Sequence, residues 1–290
     1  MDVAVLGTTE TGRALAGWCV RADMAVRLYG DDANAVMDSV DAVQRRAGVE
    51  TRDGIDGTTG LDGAVSGADV VVDATQGETD DRRALLADAE ELVGDEALIV
   101  LCDTHDTITA VAAGLRRPGR AIGLHAVAPD DSTVVEIVVA EQTTATTRER
   151  ALSMIESIDA TALVVRDTPG FATTRLDLVT IAEAIRMIEE GVASVPDIDR
   201  ALELGRDHPV GPLGLADELG LDTVLDALQT LAATLGSRFD PPDLLFEKVS
   251  NGDLGRQSSR GFYTWEHGDR AGPAEPNPTV DARPERADES

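Results

Sequence analysis

Three segments of this 290-residue chain carry side chains suited to moving a proton. The first leads from Gly123-Leu124-His125 through Pro129 to Glu136. The second is Asp167-Thr168-Pro169-Gly170-Phe171, and the third runs from Asp197 to Asp222 and contains His208-Pro209-Val210-Gly211-Pro212. An imidazole beside a carboxylate can act as a general base: the carboxylate selects one tautomer and stabilises the imidazolium formed when a hydroxyl gives up its proton. Glu136 is the sharper half of that signal. It stands within Val134-Val135-Glu136-Ile137-Val138, and a glutamate in an apolar strand is costly unless it is paired. A further segment, Gly7-Thr8-Thr9-Glu10-Thr11-Gly12, stands where a strand meets a helix. A helix N-terminus at such a turn is an anion site, and the dinucleotide fingerprint wants glycine at the first, third and sixth positions. Gly7 and Gly12 fill two of them; Thr9 fills the middle one, where its side chain stands in the way of a pyrophosphate while its hydroxyl offers a hydrogen bond.

These residues need elements to hold them. Val3-Ala4-Val5-Leu6, Ala25 to Tyr29, Asp69 to Asp73, Ala97 to Leu101, Ala121 to Leu124 and Val134 to Val139 read as strands. Glu10 to Ala22, Arg82 to Val93 and Thr109 to Leu115 have helical spacing, and Gly48 to Gly67 reads as an irregular connection. Strands alternating with helices imply a doubly wound, mostly parallel sheet. Pro169 ends a last strand and Gly170 permits a turn, after which Arg175 to Glu190, Asp197 to Leu204, Leu213 to Leu235 and Asp243 to Ser250 are helical in period. The fold class is thus an α/β Rossmann-type doubly wound sheet followed by an all-α C-terminal domain. The expected divisions are residues 1–166, 167–265 and an acidic, disordered tail at 266–290, which is rich in Pro, Asp and Glu from Gly268 onward.

Composition narrows the partners. With 54 acidic residues against 25 basic ones the net charge is −29, and Lys248 is the one lysine. Such a surface repels nucleic acid and anionic membranes. The charge is spread along the chain, which points to hydration and solubility at high salt, as in a halophile. Cys19 and Cys102 have no metal-ligand spacing and read as small buried hydrophobes, so no metal is expected. The chain opens directly on a strand pattern with no signal peptide, and no apolar run is long enough to span a membrane; a soluble cytoplasmic protein is the expectation.

Taken in order, the segments resemble the 3-hydroxyacyl-CoA dehydrogenase family from the N-terminus to about Trp265. The family's Gly-Leu-His-Phe-Phe-Asn-Pro reads here as Gly123-Leu124-His125-Ala126-Val127-Ala128-Pro129. The likeness continues through Glu183-Ala184-Ile185-Arg186, Asp197-Ile198-Asp199, His208 to Pro212, Gly220-Leu221-Asp222 and Gly255 to Tyr263. The resemblance implies oxidation of an (S)-3-hydroxyacyl-CoA by NAD in fatty acid metabolism, with His125 as base, Glu136 as its partner and a homodimer formed through the helical domain. The family's substrate-contacting serine falls on Thr104 in one register and on His105 in another, within Asp103-Thr104-His105-Asp106. Its asparagine after the Pro-Gly-Phe hinge is Thr174, and a second asparagine is Ala128. The ribose-binding carboxylate falls on Gly30, with Asp31 and Asp32 next; Asp31 substitutes after a small backbone shift, and two carboxylates favour NAD over NADP. A Glu and a Lys near the cofactor become Gly77 and Arg82, and the basic helix that helps hold CoA keeps only Arg45-Arg46. These departures leave two rival readings: a non-catalytic dimeric paralogue that binds acyl-CoA or a partner, and a 3-hydroxyacid dehydrogenase acting on a small acid without CoA.

Overall fold

The computed structural model describes residues 1–48, 54–102, 107–127 and 134–275. The chain divides into two compact units, Met1–Phe171 and the residues from Ala172 on. The first is built from β1 (Asp2–Leu6), α1 (Glu10–Arg21), β2 (Ala25–Tyr29), α2 (Ala33–Ala47), β3 (Ile55–Thr58), α3 (Leu61–Val65), β4 (Val70–Asp73), α4 (Thr79–Leu92), β5 (Leu98–Leu101), α5 (Ile108–Ala112), β6 (Ala121–Val127), β7 (Val134–Val139), α6 (Ala145–Ser157) and β8 (Thr161–Arg166). The strands form one sheet in the order β3-β2-β1-β4-β5-β6-β7-β8. All neighbours are parallel except β6 and β7.

Alternation along the strands creates two cores. Val3 and Val5 face one side, with Leu15 and Trp18 of α1, Val36 and Val40 of α2, and Met154 and Ile155 of α6. Ala4 and Leu6 face the other, with Val65 of α3, Leu86 and Ala89 of α4, and Val111 of α5. Strands covered on both faces must be apolar at nearly every position, which is why Val70-Val71-Val72 and Leu98-Ile99-Val100-Leu101 read as unbroken runs. Each such side chain contributes about 1.5–3 kcal/mol by leaving water.

Residues 48–67 correct the expectation of an irregular connection. Gly48, at φ 70°, stops α2 in the left-handed region. Residues 49–53 lie outside the described residues, and β3 then pairs with β2 from Val26–Ile55 to Tyr29–Thr58, followed by α3. Only Ile55 of this edge strand is buried and apolar. Its place depends on the backbone ladder and on Gly57, where a Cβ would come within 2.6 Å of Val36. Neither leaves a hydrophobic pattern to read.

The second unit contains α7 (Thr173–Glu189), α8 (Val195–Arg206), α9 (Pro212–Leu219), α10 (Leu221–Leu235), α11 (Asp243–Ser250), β9 (Tyr263–Glu266) and β10 (Asp269–Pro273). The stretch from Leu213 to Leu235 is two helices, because Gly220 at φ 93° breaks it. The expectation of a structureless chain from Gly268 also gives way: β10 pairs antiparallel with β9. Arg270 of β10 reaches Asp199 and Glu203 on α8 at 3.2 and 2.9 Å, so polar anchoring supplies what a polar sequence cannot bury. The tail beyond Glu275 lies outside the described residues.

Candidate active site

The sheet reverses its direction of growth beside β1. The chain extends from β1 through β2 to β3, then crosses to β4 on the other side of β1. Connections leaving β1 and β4 at their carboxyl ends therefore part, and a crevice opens where ligands of such sheets bind. A cleft of about 510 Å³ lies there, with Gly7, Thr9, Tyr29, Asp31, Thr75 and Arg82 among its lining residues.

Its floor depends on a close backbone approach. Gly7 has φ 104°, and a Cβ on it would fall 2.5 Å from the Ala74 carbonyl oxygen. A Cβ on Gly12 would come within 3.1 Å of Ala74 Cβ. Thr9 stands at the N-cap of α1, where its Oγ1 accepts from the Gly12 N–H at 3.1 Å and donates to the Ala74 carbonyl at 2.9 Å. The hydroxyl that the sequence offers to a phosphate thus ties the β1 turn to the β4 turn. Glu10, the next residue, is held below the usual carboxylate range by its bonds to Arg13 and then Arg46. That pairing offsets a negative charge at a helix end suited to an anion.

Beside the turn lies a pair that motif reading passed over. Asp73 closes β4 with no exposure, and Arg82 of α4 is 3% exposed. Asp73 Oδ2 accepts from Arg82 Nε at 2.9 Å and lies 2.8 Å from Nη2. Its Oδ1 accepts from the Thr75 N–H at 3.0 Å and the Thr75 hydroxyl at 2.6 Å. Arg82 Nη2 also donates to the Cys102 carbonyl at 2.6 Å. A buried ion pair is tolerable when its lone pairs and protons are met in this way. The guanidinium of Arg82, expected at the cofactor, reaches the cleft as part of this pair and joins the ends of β4 and β5. Asp73 was visible as an aspartate closing the apolar run from Val70 to Val72, the same signal that marked Glu136.

At the same edge of the sheet, His125 and Glu136 stand directly opposite each other in the antiparallel β6–β7 pair. His125 Nδ1 lies 2.9 Å from Glu136 Oε2. The carboxylate is fully buried while the imidazole keeps 31% exposure, so the ring has one edge toward protein and another toward solvent. The Phe171 ring lies against it at 5.6 Å. Phe171 has φ 43°, uncommon for a bulky residue, and follows Gly170 at φ 72°. Asp167, at the head of that turn, accepts from the N–H groups of Ile108 and Thr109 at 3.1 and 2.7 Å and so caps α5. Thr104, His105, Ala128 and Pro129 lie outside the described residues. Thr174 lies in the first turn of α7, half-buried, within the second unit. Cys19 and Cys102 are buried, and burial pushes the Cys19 thiol up to about 12.

Comparison with known proteins fixes the lineage. Residues 2–168 match the family model for the 3-hydroxyacyl-CoA dehydrogenase NAD binding domain, and residues 170–265 match that for the 3-hydroxyacyl-CoA dehydrogenase C-terminal domain. The chain belongs to the 3-hydroxyacyl-CoA dehydrogenase family. A probable 3-hydroxybutyryl-CoA dehydrogenase of Bacillus subtilis is 36% identical over 203 residues, 69% of this chain and 70% of that protein. One from Deinococcus radiodurans is 35% identical over 199 residues, 68% of this chain and 72% of that protein. The crystal structure of (S)-3-hydroxybutyryl-CoA dehydrogenase from Ralstonia eutropha has a TM-score of 0.84 at 28% identity, covering 91% of this chain and 99% of that one. As a 3-hydroxyacyl-CoA dehydrogenase the protein is an NAD-dependent oxidoreductase, and the glycine-floored cleft between β1 and β4 fits a dinucleotide. No helix among the described residues is long and apolar enough to cross a membrane.

The dehydrogenase's second unit has buried carboxylates of its own. Asp217 accepts from the N–H groups of Phe262 and Tyr263 and from Trp265 Nε1, at 2.8, 2.8 and 2.9 Å. Asp199 accepts from Leu213 and Gly214 N–H and from the Tyr263 hydroxyl, at 2.8, 2.9 and 2.8 Å. The sequence placed Asp199 within a matching segment but gave it no role; its function is to cap α9 and hold the β9–β10 hairpin.

Proposed function

We propose that the dehydrogenase oxidises the 3-hydroxyl of an (S)-3-hydroxyacyl-CoA to a ketone, with His125 as general base and Glu136 as the residue that positions it. The carrying observation is the 2.9 Å contact between His125 Nδ1 and a fully buried Glu136 carboxylate. A buried carboxylate at Nδ1 keeps the proton on that nitrogen and leaves Nε2 as the acceptor. His125 then takes the hydroxyl proton through Nε2, and Glu136 stabilises the imidazolium that results. Bound NAD supplies the acceptor for the hydride leaving the same carbon. Gly7, Thr9, Gly12 and Asp31 line or shape the cofactor's place, with Arg82 and Asp73 holding its far wall. The family resemblance assigns the polarising of the oxygen that becomes the ketone to Thr104 or His105.

The protein acts as a homodimer through its helical unit, a reading supported by exposed Leu176 and Val179 on α7. It is a cytoplasmic, halophilic enzyme, its net charge of −29 keeping it hydrated in high salt. NADH formation from 3-hydroxybutyryl-CoA at high salt tests the activity. Turnover by the parent that is lost in His125→Ala supports the proposal, whereas tight NAD binding with no turnover of the thioester points to a smaller acid without CoA.

A further inference from the structure

The cofactor cleft holds a contact that neither the fingerprint nor the dyad uses. At the end of β2 the chain reads Tyr29-Gly30-Asp31-Asp32, and each residue has a distinct task. Gly30 is tightly enclosed: a Cβ there would lie 3.0 Å from a Val36 methyl and 3.1 Å from the Thr8 methyl, so both side chains would have to give way slightly. Asp32 is the N-cap of α2 and accepts from the Ala35 N–H at 2.8 Å. Asp31 is the carboxylate of this segment that lines the cleft, and the Tyr29 hydroxyl donates to its Oδ1 at 2.9 Å. Residues two apart on an extended chain share a face, which is why this bond can form.

We propose that Tyr29 is a specificity-positioning residue, its hydroxyl fixing the Asp31 carboxylate where it accepts from the ribose diol of NAD and repels a 2′-phosphate. This rests on the reading that the adenosine half of NAD occupies the cleft. A carboxylate on an exposed turn samples many rotamers, and one bond from a ring anchored in the protein restricts them. The Tyr29 ring packs on the core side shared by Ala4 and Leu6, so the donor has a fixed base. Burial, and after it the Asp31 bond, raise the phenol's pKa above its ordinary value, so it remains a donor at any working pH. Arg82 is the one basic side chain lining the cleft among the described residues, and it is bound to Asp73, so no free cation there favours a phosphate. The carboxylate that follows the tightly enclosed Gly30 is thereby supplied with a support.

The test compares NADH and NADPH binding, by fluorescence titration at high salt, in the parent, Tyr29→Phe, Asp31→Ala and the double variant. Phenylalanine keeps the packed ring, so folding is preserved. Loss of one hydrogen bond should weaken NADH roughly three- to ten-fold in Tyr29→Phe and leave NADPH unchanged, narrowing the preference. In the Asp31→Ala background the same change should be silent. A preference altered by less than three-fold in Tyr29→Phe, equal weakening of both nucleotides, or an undiminished effect without Asp31 would overturn the proposal. A parent that binds no NADH would instead overturn the assignment of the cleft.

Discussion

Two kinds of buried carboxylate stand in this molecule, and they differ in what they meet. Glu136 in the first unit is fully buried against an imidazole that is itself 31% exposed. Asp217 in the second is equally buried, but its three close partners are two backbone N–H groups and the Trp265 indole, all inside the core. The first carboxylate is paired with an imidazole that keeps contact with solvent. The second fixes the chain path from Phe262 to Trp265, and the donors bonded to it, two backbone N–H groups and an indole, do not titrate. Burial of a charge therefore identifies a place where the fold is committed; the partner decides whether the commitment serves chemistry or architecture.

The sharpest way to break this contrast is to remove the reachable partner. His125→Ala should lower kcat by about 100- to 10,000-fold; it also takes the imidazole from a buried carboxylate and so costs stability, and circular dichroism checks that the variant is still folded when kcat is read. Retained turnover would place Glu136 with the architectural carboxylates. Its counterpart, Asp217→Ala, strands three donors in the core and should cost about 3–5 kcal/mol of stability. The helical unit's unfolding transition should show the loss, and a transition at the parent's midpoint would mean that these bonds contribute little.

Glu136→Gln keeps the shape and removes the charge. It should cut kcat by about ten-fold or more while KM stays nearly constant, because the carboxylate is called on as the imidazolium forms. A rise in KM alone would show that Glu136 organises binding instead. Thr9→Ala removes a helix cap and the tie to Ala74, and should cost about 1 kcal/mol. Calorimetric titration with NADH would show whether the cap also supports the cleft: unchanged affinity in a destabilised variant would confine Thr9 to the fold.

The smallest effect concerns pH. Burial raises the Asp217 and Asp199 carboxyls above the ordinary aspartate range, while the donors aimed at them pull partly back. A folded-state value above the unfolded one means that the folded chain binds the proton more tightly. The contribution of Asp217 is then fully present below the unfolded value and is lost as pH rises through the folded one. The stability of the parent relative to Asp217→Asn should therefore decline from acid toward neutral pH. A relative stability that climbs with pH would mean that the donors outweigh burial.

Local patterns announced much of this protein. Unbroken apolar runs at Val3–Leu6 and Val70–Val72 require strands covered on both faces, and a glutamate between Val135 and Ile137 requires a partner. Short-range chemistry made the turn at Gly7 and the break at Pro169 legible too. The elements that escaped reading are those stabilised by distant contacts. β3 is held by its ladder to β2, and β10 is anchored by Arg270 to α8 across a long stretch of chain. Gly220 looked like one residue in a helical stretch until its φ of 93° made it the joint between α9 and α10.

By itself the sequence determined that there would be a mostly parallel sheet with a Gly-bounded turn at its first strand, a helical second half, and a strand glutamate, Glu136, in need of a partner. The reason is that side-chain period and backbone restriction act over a few residues and are written in their order. Only the tertiary structure decided that His125 and Glu136 share a register at 2.9 Å, that Thr9 bonds to Ala74, that Arg82 closes on Asp73, and that Tyr29 supports Asp31. Each of these is a hydrogen bond whose strength falls steeply with distance and angle, and a sequence carries residue types but not the ångströms between them.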